Sequence, residues 1–224
     1  MNFLLIGCCG KMGKEVVSII EQHPNHKIVA GIDIIPTTQT FPVYKNTRDI
    51  TESFDAIIDF STSSDKSEYV LFAKKHLLPY GCFSTTRTTD DEQNFKTLAK
   101  TVPVLLCKNT SIGINLLYDL VDLSSKHIPD SDVAITEIHH KHKKDSPSGT
   151  AKEIEELLSN HHLPFQTNSL RVGNEVGKHI VQFFLEDEII EISHTAKSRK
   201  IFAIGAVKMM EKLKDKKPKI YKKP

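Results

Sequence analysis

The N-terminal segment constrains the fold most strongly, because an apolar strand runs directly into a glycine turn that opens a helix. Asn2–Ile6 has the pattern of a buried strand, and a helical pattern with one apolar face covers Lys11–Gln22. Three glycines occur here at a spacing of three: Gly7, Gly10 and Gly13. Glycine lets the backbone approach a pyrophosphate closely, and the free N–H groups of a helix start attract phosphates. The segment therefore predicts a dinucleotide-binding turn.

A carboxylate follows the second predicted strand, Lys27–Ile32. Asp33 stands where an acid can accept hydrogen bonds from the adenosine ribose hydroxyls. The next three residues, which begin with Ile34, carry no charge that could meet a 2′-phosphate. We therefore expect NADH to be preferred to NADPH or used equally well. The turn departs from G-x-G-x-x-G because Cys9 replaces the second glycine, so the alternative is a tight packing turn with Asp33 capping a loop.

Strand and helix patterns alternate up to residue 127. After the first two strands, the predicted elements are strand Asp55–Phe60, helix Asp65–His76, strand Gly81–Ser84, a helix opened by the capping box Thr89–Glu92, strand Val102–Cys107 and helix Ile112–His127. Alternation of this length predicts an α/β fold, with a Rossmann-like parallel sheet and helices on both faces.

The pattern changes in the second half of the chain. The predicted elements there are strand Val133–His140, helix Thr150–Ser159, strands His179–Glu186 and Glu188–Ala196, and helix Lys200–Leu213. This order predicts a second, α+β domain with a mixed sheet. We place the dinucleotide-binding domain at residues 1–109 and 199–224, and a substrate-binding and oligomerisation domain at residues 110–198.

Composition and charge exclude several classes of protein. Of the 224 residues, 39% are hydrophobic and 26% are charged, which excludes collagen-like, coiled-coil and disordered chains. No apolar run approaches the ~20 residues of a membrane helix, and the N-terminus lacks a signal-peptide pattern. We therefore expect a cytoplasmic protein with no membrane partner.

The C-terminal segment is basic. Residues 208–224 hold eight lysines against Glu211 and Asp215, a net charge of +6, so the formal total of +2 leaves −4 for the rest. A basic tail could contact nucleic acid, but it lacks the aromatic pattern of such motifs. We favour a solvated helix end and expect no nucleic-acid partner.

The cysteines do not predict a metal site. The four are Cys8, Cys9, Cys82 and Cys107, and none forms a C-x-x-C pair. We expect them to be reduced, small, buried apolar side chains. No metal is expected.

The densest chemistry lies between Glu137 and Thr150, where a strand ends in three histidines and several lysines. A histidine can deliver a proton near neutral pH, lysines supply countercharge, and a helix start suits a carboxylate. Three alternatives stay open. Thr150 with Glu153 could be an ordinary capping box, the lysines could be solvated, and His140 with His142 could bind a metal, although no third ligand is visible. His139 and Lys143 can serve one small substrate only if the strand stops near His140 and the loop curls back, since four extended residues span about 13 Å.

The segment as a whole closely resembles the E-x-H-H-x-x-K-x-D-x-P-S-G-T-A signature of the dihydrodipicolinate reductases. The resemblance covers almost the whole chain. Further similar segments are Gly7–Gly13, Asp59–Ser61, Asn109–Asn115, Val176–His179 and His194–Gly205. Departures occur in the family's G-T-T-G loop, which is Ser84–Arg87 here, and at Thr110, where the family has phenylalanine. The segment between Ala151 and Val176 is also shorter than in the family, so the chain resembles a shortened member.

The resemblance implies a function and a set of site residues. His139 would be the acid/base residue and Lys143 the second catalytic group, while His140, Gly149 and Thr150 would hold the substrate carboxylates. The implied cofactor-binding residues are Gly7, Cys8, Cys9, Gly10, Lys11, Met12, Asp33, Ser84, Thr85, Thr86, Cys107, Lys108, Asn109 and Thr110.

The implied reaction is NAD(P)H-dependent reduction of a cyclic dicarboxylate, dihydrodipicolinate, to tetrahydrodipicolinate in diaminopimelate and lysine biosynthesis. Domain closure would bring cofactor and substrate together. The alternatives are another nicotinamide-dependent reductase and a nucleotide-binding regulator without turnover. We also expect a homo-oligomer, a tetramer by resemblance, because the two strands within 179–196 are apolar on both faces.

Overall fold

The computed structural model describes residues 1–222 of the protein, which pack into two units. One unit is Met1–Thr110 together with the segment that begins at Phe202, and the other is Ser111–Ile201. Lys223, which we counted in the basic tail, lies outside the described residues. No helix within residues 1–222 is long and apolar enough to cross a membrane.

The elements alternate as expected through the first unit. They are β1 (Asn2–Ile6), α1 (Lys11–Glu21), β2 (Lys27–Ile32), β3 (Val43–Tyr44), β4 (Ala56–Asp59), α2 (Ser67–His76), β5 (Tyr80–Cys82), α3 (Thr89–Leu98) and β6 (Val104–Leu106). The remaining elements are α4 (Ile112–His127), β7 (Asp132–His139), α5 (Gly149–Asn160), β8 (Phe165–Arg171), β9 (Gly177–Phe184), β10 (Ile189–Ala196), α6 (Lys200–Leu213) and β11 (Ile220–Tyr221).

The first unit is a parallel sheet with the strand order β11-β6-β5-β4-β1-β2-β3. Residues of β1 alternate between two cores: Phe3 and Leu5 pack with residues of α1 and α6, while Leu4 and Ile6 pack with residues of α2 and α3. Helices therefore cover both faces, which confirms the predicted Rossmann-like architecture. The strand order reverses between β1 and β4, and ligands of such sheets bind at the carboxyl ends of strands beside a reversal.

The second unit is a mixed sheet with the order β10-β9-β7-β8, in which only β7 and β8 are parallel. Its core holds Val133 and Ile135 of β7 and Val181 and Phe183 of β9, packed with residues of α4 and α5. Both helices therefore lie on one face of the sheet. The predicted mixed sheet is confirmed.

Three strands were not predicted, for different reasons. β3 and β11 have two residues each, too short for any periodic pattern. β8 has the sequence FQTNSLR and no fully buried residue, so it lacks the apolar alternation of a typical strand. We expected the basic tail to be a solvated helix end. Part of it instead forms β11, which pairs with β6 in the parallel sheet.

The predicted start of α3 was wrong by one residue. The side chain of Thr88, not Thr89, accepts a hydrogen bond from the Asp91 N–H, and the Asp91 carboxylate accepts one from the Thr88 N–H. Two overlapping Thr-to-acid spacings exist in the sequence, and only backbone geometry distinguishes them.

Candidate active site

The glycine turn after β1 has the geometry that a pyrophosphate needs. Gly7 has a φ of +79°, a conformation that favours glycine, and a Cβ on Gly13 would lie 2.1 Å from the Gly7 carbonyl oxygen. Gly10 caps α1 without a side-chain hydrogen bond, so the first N–H groups of the helix suit phosphate oxygens. The residues present therefore fit the pyrophosphate of a dinucleotide.

Asp33 lies beside this turn at the end of β2. Its Oδ2 accepts a hydrogen bond from the Cys9 N–H at 2.9 Å, and its Oδ1 accepts one from the Ile35 N–H at 3.1 Å. The carboxylate is thus fixed at the edge where an adenosine ribose would lie. The side chains of Lys11 and Ile34 are exposed, while Met12 is half-buried.

The Ser84–Arg87 loop follows β5 at the same edge of the sheet. Ser84 Oγ lies 3.0 Å from Thr86 Oγ1 and accepts a hydrogen bond from the Thr86 N–H at 3.2 Å. Arg87 Nη1 donates to the Ser84 carbonyl at 3.2 Å, and Thr85 is exposed. The loop is therefore held by its own hydrogen bonds, although it lacks both glycines of the family pattern.

The segment after β6 completes the predicted cofactor residues. Cys107 Sγ donates to the Asn109 carbonyl at 3.0 Å, and Thr110 Oγ1 donates to the Phe202 carbonyl at 2.6 Å. Lys108 is exposed. Because β1, β2, β5 and β6 are parallel, all the predicted cofactor residues follow carboxyl ends at one edge of the sheet.

The second unit contains a buried acid–histidine pair. Glu137 and His139 lie two residues apart on β7, so their side chains point to the same face, and His139 Nδ1 contacts Glu137 Oε2. Arg171 Nη2 donates to Glu137 Oε1 at 2.6 Å and to the Asp145 carbonyl at 2.7 Å. The other side of the imidazole lies beside Gly177, since a Cβ there would be 3.0 Å from His139 Nε2. The pair therefore fixes Nδ1 and directs Nε2 towards bare backbone.

These neighbours shift the pKa values of the pair. Burial alone would raise the pKa of Glu137, but hydrogen bonds from Arg171, Ser169 and His139 outweigh it and lower the pKa to about 2. Burial lowers the pKa of His139 against the opposing effect of Glu137, and the Lys143 charge lowers it further. Glu137 is consequently ionised at neutral pH and can accept a hydrogen bond from the Nδ1–H group of His139.

The start of α5 lies next to this pair. Ser148 accepts a hydrogen bond from the Ala151 N–H at 3.2 Å, so it and not Thr150 caps the helix, which corrects the alternative capping box. The Ser148 N–H donates to Glu137 Oε1 at 3.2 Å. A Cβ on Gly149 would meet nothing within 4 Å, which leaves open space at the helix start. The arrangement suits an anionic group.

Lys143 follows the end of β7 in a tight turn. The strand stops at His139, and the Lys143 N–H donates to the His140 carbonyl at 3.1 Å, so the loop curls back as the two residues require. Lys143 Nζ pairs with Asp145 Oδ1 at 2.8 Å. His140 is half-buried. Among the described residues, the clusters with metal-ligating geometry do not include His140.

Four residues with evident roles were not assigned any from the sequence: Glu137, Ser148, Arg171 and His179. Register explains their proximity, because His139 pairs with Arg171 on β8 and Glu137 pairs with His179 on β9. His179 Nε2 lies 3.1 Å from Ser148 Oγ, and its Nδ1 has no hydrogen-bond partner among the described residues. The family signature contains Glu137 and Ser148, and His179 ends a further similar segment, whereas no pattern in the sequence pointed to Arg171.

Acid is expected to destabilise the protein through His179. Burial lowers the pKa of His179 from 6.5 to about 3, so the unfolded chain binds more protons between these values. The stabilisation that comes from the difference in proton binding at His179 is fully present above about pH 6.5, and it is lost as the pH falls towards 3. We expect His179 to lower the free energy of unfolding by about 2 kcal/mol between about pH 6.5 and 5. Urea unfolding of the wild type and His179→Gln should show a smaller fall in the variant, and equal falls would contradict the assignment.

Family sequence models match both halves of the chain. Residues 1–110 match the N-terminal model of dihydrodipicolinate reductase, and residues 113–223 match the C-terminal model. The 4-hydroxy-tetrahydrodipicolinate reductase of Caldanaerobacter subterraneus is 33% identical, and the match covers 99% of this chain and 96% of that protein. The same-named protein of Thermosipho africanus is 35% identical, with coverage of 99% and 95%.

Solved structures share the fold. A dipicolinate-bound dihydrodipicolinate reductase from Paenisporosarcina superposes with a TM-score of 0.85 at 20% identity, covering 99% of this chain and 97% of that one. An amine dehydrogenase from Mycobacterium smegmatis gives a TM-score of 0.68 at 10% identity, covering 99% and 94%. The resemblance seen in the sequence motifs is confirmed, and the chain belongs to the dihydrodipicolinate reductase family.

Proposed function

We propose that the protein reduces dihydrodipicolinate, formed from 4-hydroxy-tetrahydrodipicolinate, to tetrahydrodipicolinate with a nicotinamide cofactor. The observation that carries this proposal is the Glu137–His139 pair, which lies beside Lys143 and the open start of α5. A proton donor, a cation and an anion-binding helix start are what a cyclic dicarboxylate substrate requires. The place of the reaction is diaminopimelate and lysine biosynthesis in the cytoplasm.

The cofactor-binding residues are proposed to be those gathered at the carboxyl edge of the parallel sheet. The glycine turn binds the pyrophosphate through backbone N–H groups, and Asp33 accepts hydrogen bonds from the ribose. A nicotinamide cofactor held by these residues would supply a hydride to one ring carbon of the substrate. The reaction needs no metal in this proposal.

His139 supplies the proton that balances the hydride. When hydride reaches the conjugated C=C–C=N system, an electron pair moves towards the ring nitrogen and the adjacent carbon. His139, charged and held by Glu137, donates its Nε2 proton to complete the reduction. The substrate is a dianion, so it raises the pKa of His139 and favours the protonated form that burial disfavours in the free protein.

Lys143 and the start of α5 hold the substrate. Lys143 stabilises the negative charge that develops during transfer and pairs with a carboxylate. His140, Gly149 and Thr150 contact the carboxylates, and the N–H groups of α5 add their partial positive charge. These assignments follow the family signature together with the positions described above.

A coupled assay tests the function directly. Dihydrodipicolinate is generated in situ, and loss of NADH or NADPH is followed optically. Substrate-dependent oxidation at rates typical of enzymes supports the proposal. Binding of NADH without turnover would instead favour a nucleotide-binding regulator.

Cofactor preference is expected to depend on Asp33 and its neighbour Ile34. A carboxylate accepts from a 2′-hydroxyl but repels a 2′-phosphate, so NADH should be used at least as well as NADPH. Ile34 is 78% exposed, so an arginine there has room to meet the phosphate. Ile34→Arg should raise kcat/KM for NADPH about tenfold, which corresponds to roughly 1.4 kcal/mol. A wild type that strongly prefers NADPH would contradict the role of Asp33.

We expect a homo-oligomer, a tetramer, built through the second unit. Helices α4 and α5 both cover one face of its sheet. On the opposite face, Phe184 of β9 pairs with Ile189 of the edge strand β10, and their side chains are 38% and 57% exposed. Burying such apolar surface favours association between copies. Light scattering should give about four times the 25.3 kDa chain mass. A mass of one chain would refute an oligomer, and twice that mass would leave a dimer.

A further inference from the structure

The glycine turn carries two adjacent thiols in different environments. Cys8 is buried, whereas Cys9 is only half-buried and thus departs from the buried apolar role that we expected. Their Sγ atoms lie 3.8 Å apart. Two thiolates at about 2.3 Å from one tetrahedral Zn²⁺ stand about 3.8 Å apart. The pair therefore has the spacing of two ligands of a single metal ion.

Asp33 supplies a third donor next to the thiols. The ligand atoms of Cys8, Cys9 and Asp33 all lie within 4.8 Å of one another. Hydrogen bonds from the Cys9 and Ile35 N–H groups hold both carboxylate oxygens, so the donor is positioned before any metal arrives. Thr37 Oγ1 donates a hydrogen bond to Cys9 Sγ at 3.2 Å. Thr37 is exposed, so solvent can reach the cluster from the side of this residue.

We propose that Cys8, Cys9 and Asp33 bind one Zn²⁺ ion, and that the bound ion excludes the dinucleotide. Exclusion of the dinucleotide rests on the proposed function, in which the glycine turn and the Asp33 carboxylate bind the cofactor. Each thiol releases its proton to solvent as its S–Zn bond forms, so binding displaces two protons and changes no oxidation state. The ion is inhibitory and takes no part in the reduction.

The chemistry of Cys8 selects for a metal with high affinity for sulfur. Burial, and then the neighbouring Cys9 and Asp33, raise the pKa of the Cys8 thiol. An ion that prefers oxygen ligands does not displace such a proton, whereas Zn²⁺ and Cd²⁺ form strong bonds to thiolate. Mg²⁺ is therefore expected not to compete.

Two other clusters of side chains could also bind a metal ion, so the experiment needs a signal that only metal–thiolate bonds produce. His23, His26 and Glu211 form one further group with metal-ligating spacing, and Glu137, His139 and His179 form another. Neither contains sulfur. Ultraviolet absorption from Cd²⁺–thiolate charge transfer therefore reports the Cys8–Cys9 site and is silent for the histidine groups.

The first experiment titrates the reduced full-length protein with Cd²⁺ and then displaces the ion with Zn²⁺. We expect thiolate absorption that saturates at one equivalent, and Cys9→Ser should weaken metal binding about tenfold or more. Cys82→Ala is the matched control, because Cys82 of β5 packs in the core on the opposite face of the sheet from Cys8 and Cys9 and should leave the titration unchanged. Absence of thiolate absorption in the wild type, or an unchanged titration in Cys9→Ser, would overturn the site.

The second experiment measures NADH binding by fluorescence at several Zn²⁺ concentrations. The apparent Kd of NADH should rise with Zn²⁺ in the wild type and in Cys82→Ala, and in Cys9→Ser the same rise should need about tenfold more Zn²⁺ or still higher concentrations. Thiolate-bound metal with an unchanged Kd of NADH would overturn the exclusion. Failure of the metal-free protein to bind NADH would instead overturn the proposed function, while the Cd²⁺ absorption still reports the metal site.

Discussion

Replacing His139 by alanine is expected to lower kcat by about 10²–10⁴-fold, the usual effect of removing a positioned proton donor. His139 is 8% exposed, its Nδ1 contacts Glu137, and its Nε2 lies beside the backbone of Gly177, where a side chain would crowd it. Its removal deprives the substrate of a proton without touching the glycine turn. NADH titration should therefore give the same Kd in His139→Ala as in the wild type.

The pH profile separates a proton donor from a structural residue. Burial lowers the pKa of His139 below its usual 6.5, so the protonated donor of the free protein is lost as the pH rises through that lowered value. The kcat/KM of the wild type should consequently fall above this point, and kcat should bend at a higher pH because the dianionic substrate raises the pKa. The exposed His142 provides a control, and His142→Ala should keep near wild-type turnover. Near wild-type turnover in His139→Ala would show that another group donates the proton.

The first unit could be predicted from sequence because its signals are local. Strands such as Asn2–Ile6 are buried on both faces and read as continuous apolar runs, and each is followed by its own helix. The parallel sheet then places Gly7, Asp33 and Ser84 at one edge, because the carboxyl ends of parallel strands all lie on the same side. What the sequence could not show is how the turn is held. The hydrogen bond from the Cys9 N–H to Asp33 joins residues 24 apart.

The group of residues around Glu137 and His139 in the second unit was predicted only in part, because its geometry depends on strand register. The signature pointed to His139 and Lys143, but Arg171 reaches Glu137 from β8, a strand with no apolar alternation to reveal it. His179 reaches Ser148 from β9 over a separation of 31 residues. A one-residue change of register would move either side chain to the opposite face. Pairing between strands, and not spacing along the chain, thus decides which groups surround His139.

Lys143→Ala is expected to lower kcat by about 10²–10³-fold, which is the typical loss when one group that stabilises developing charge is removed. The side chain is held at the active-site turn by its ion pair with Asp145 at 2.8 Å, and the His140 carbonyl fixes its backbone. A charge next to a dicarboxylate also contributes to binding, so KM for the substrate should rise as well, whereas the Kd of NADH should not change.

The neighbouring Lys144 tests whether position or mere charge matters. Its side chain is exposed, so Lys144→Ala removes the same charge one residue away and should alter kcat less than about twofold, as expected for a solvated surface lysine. Asp145→Asn removes the partner of the ion pair but keeps the ammonium, so its kcat should stay closer to the wild type than that of Lys143→Ala. Steady-state kinetics of the three variants at low and high salt decide the matter, because screening weakens exposed charges more than partly buried ones. Equal losses in Lys143→Ala and Lys144→Ala would mean that the loop acts only through its net charge, and Lys143 would then have no catalytic role.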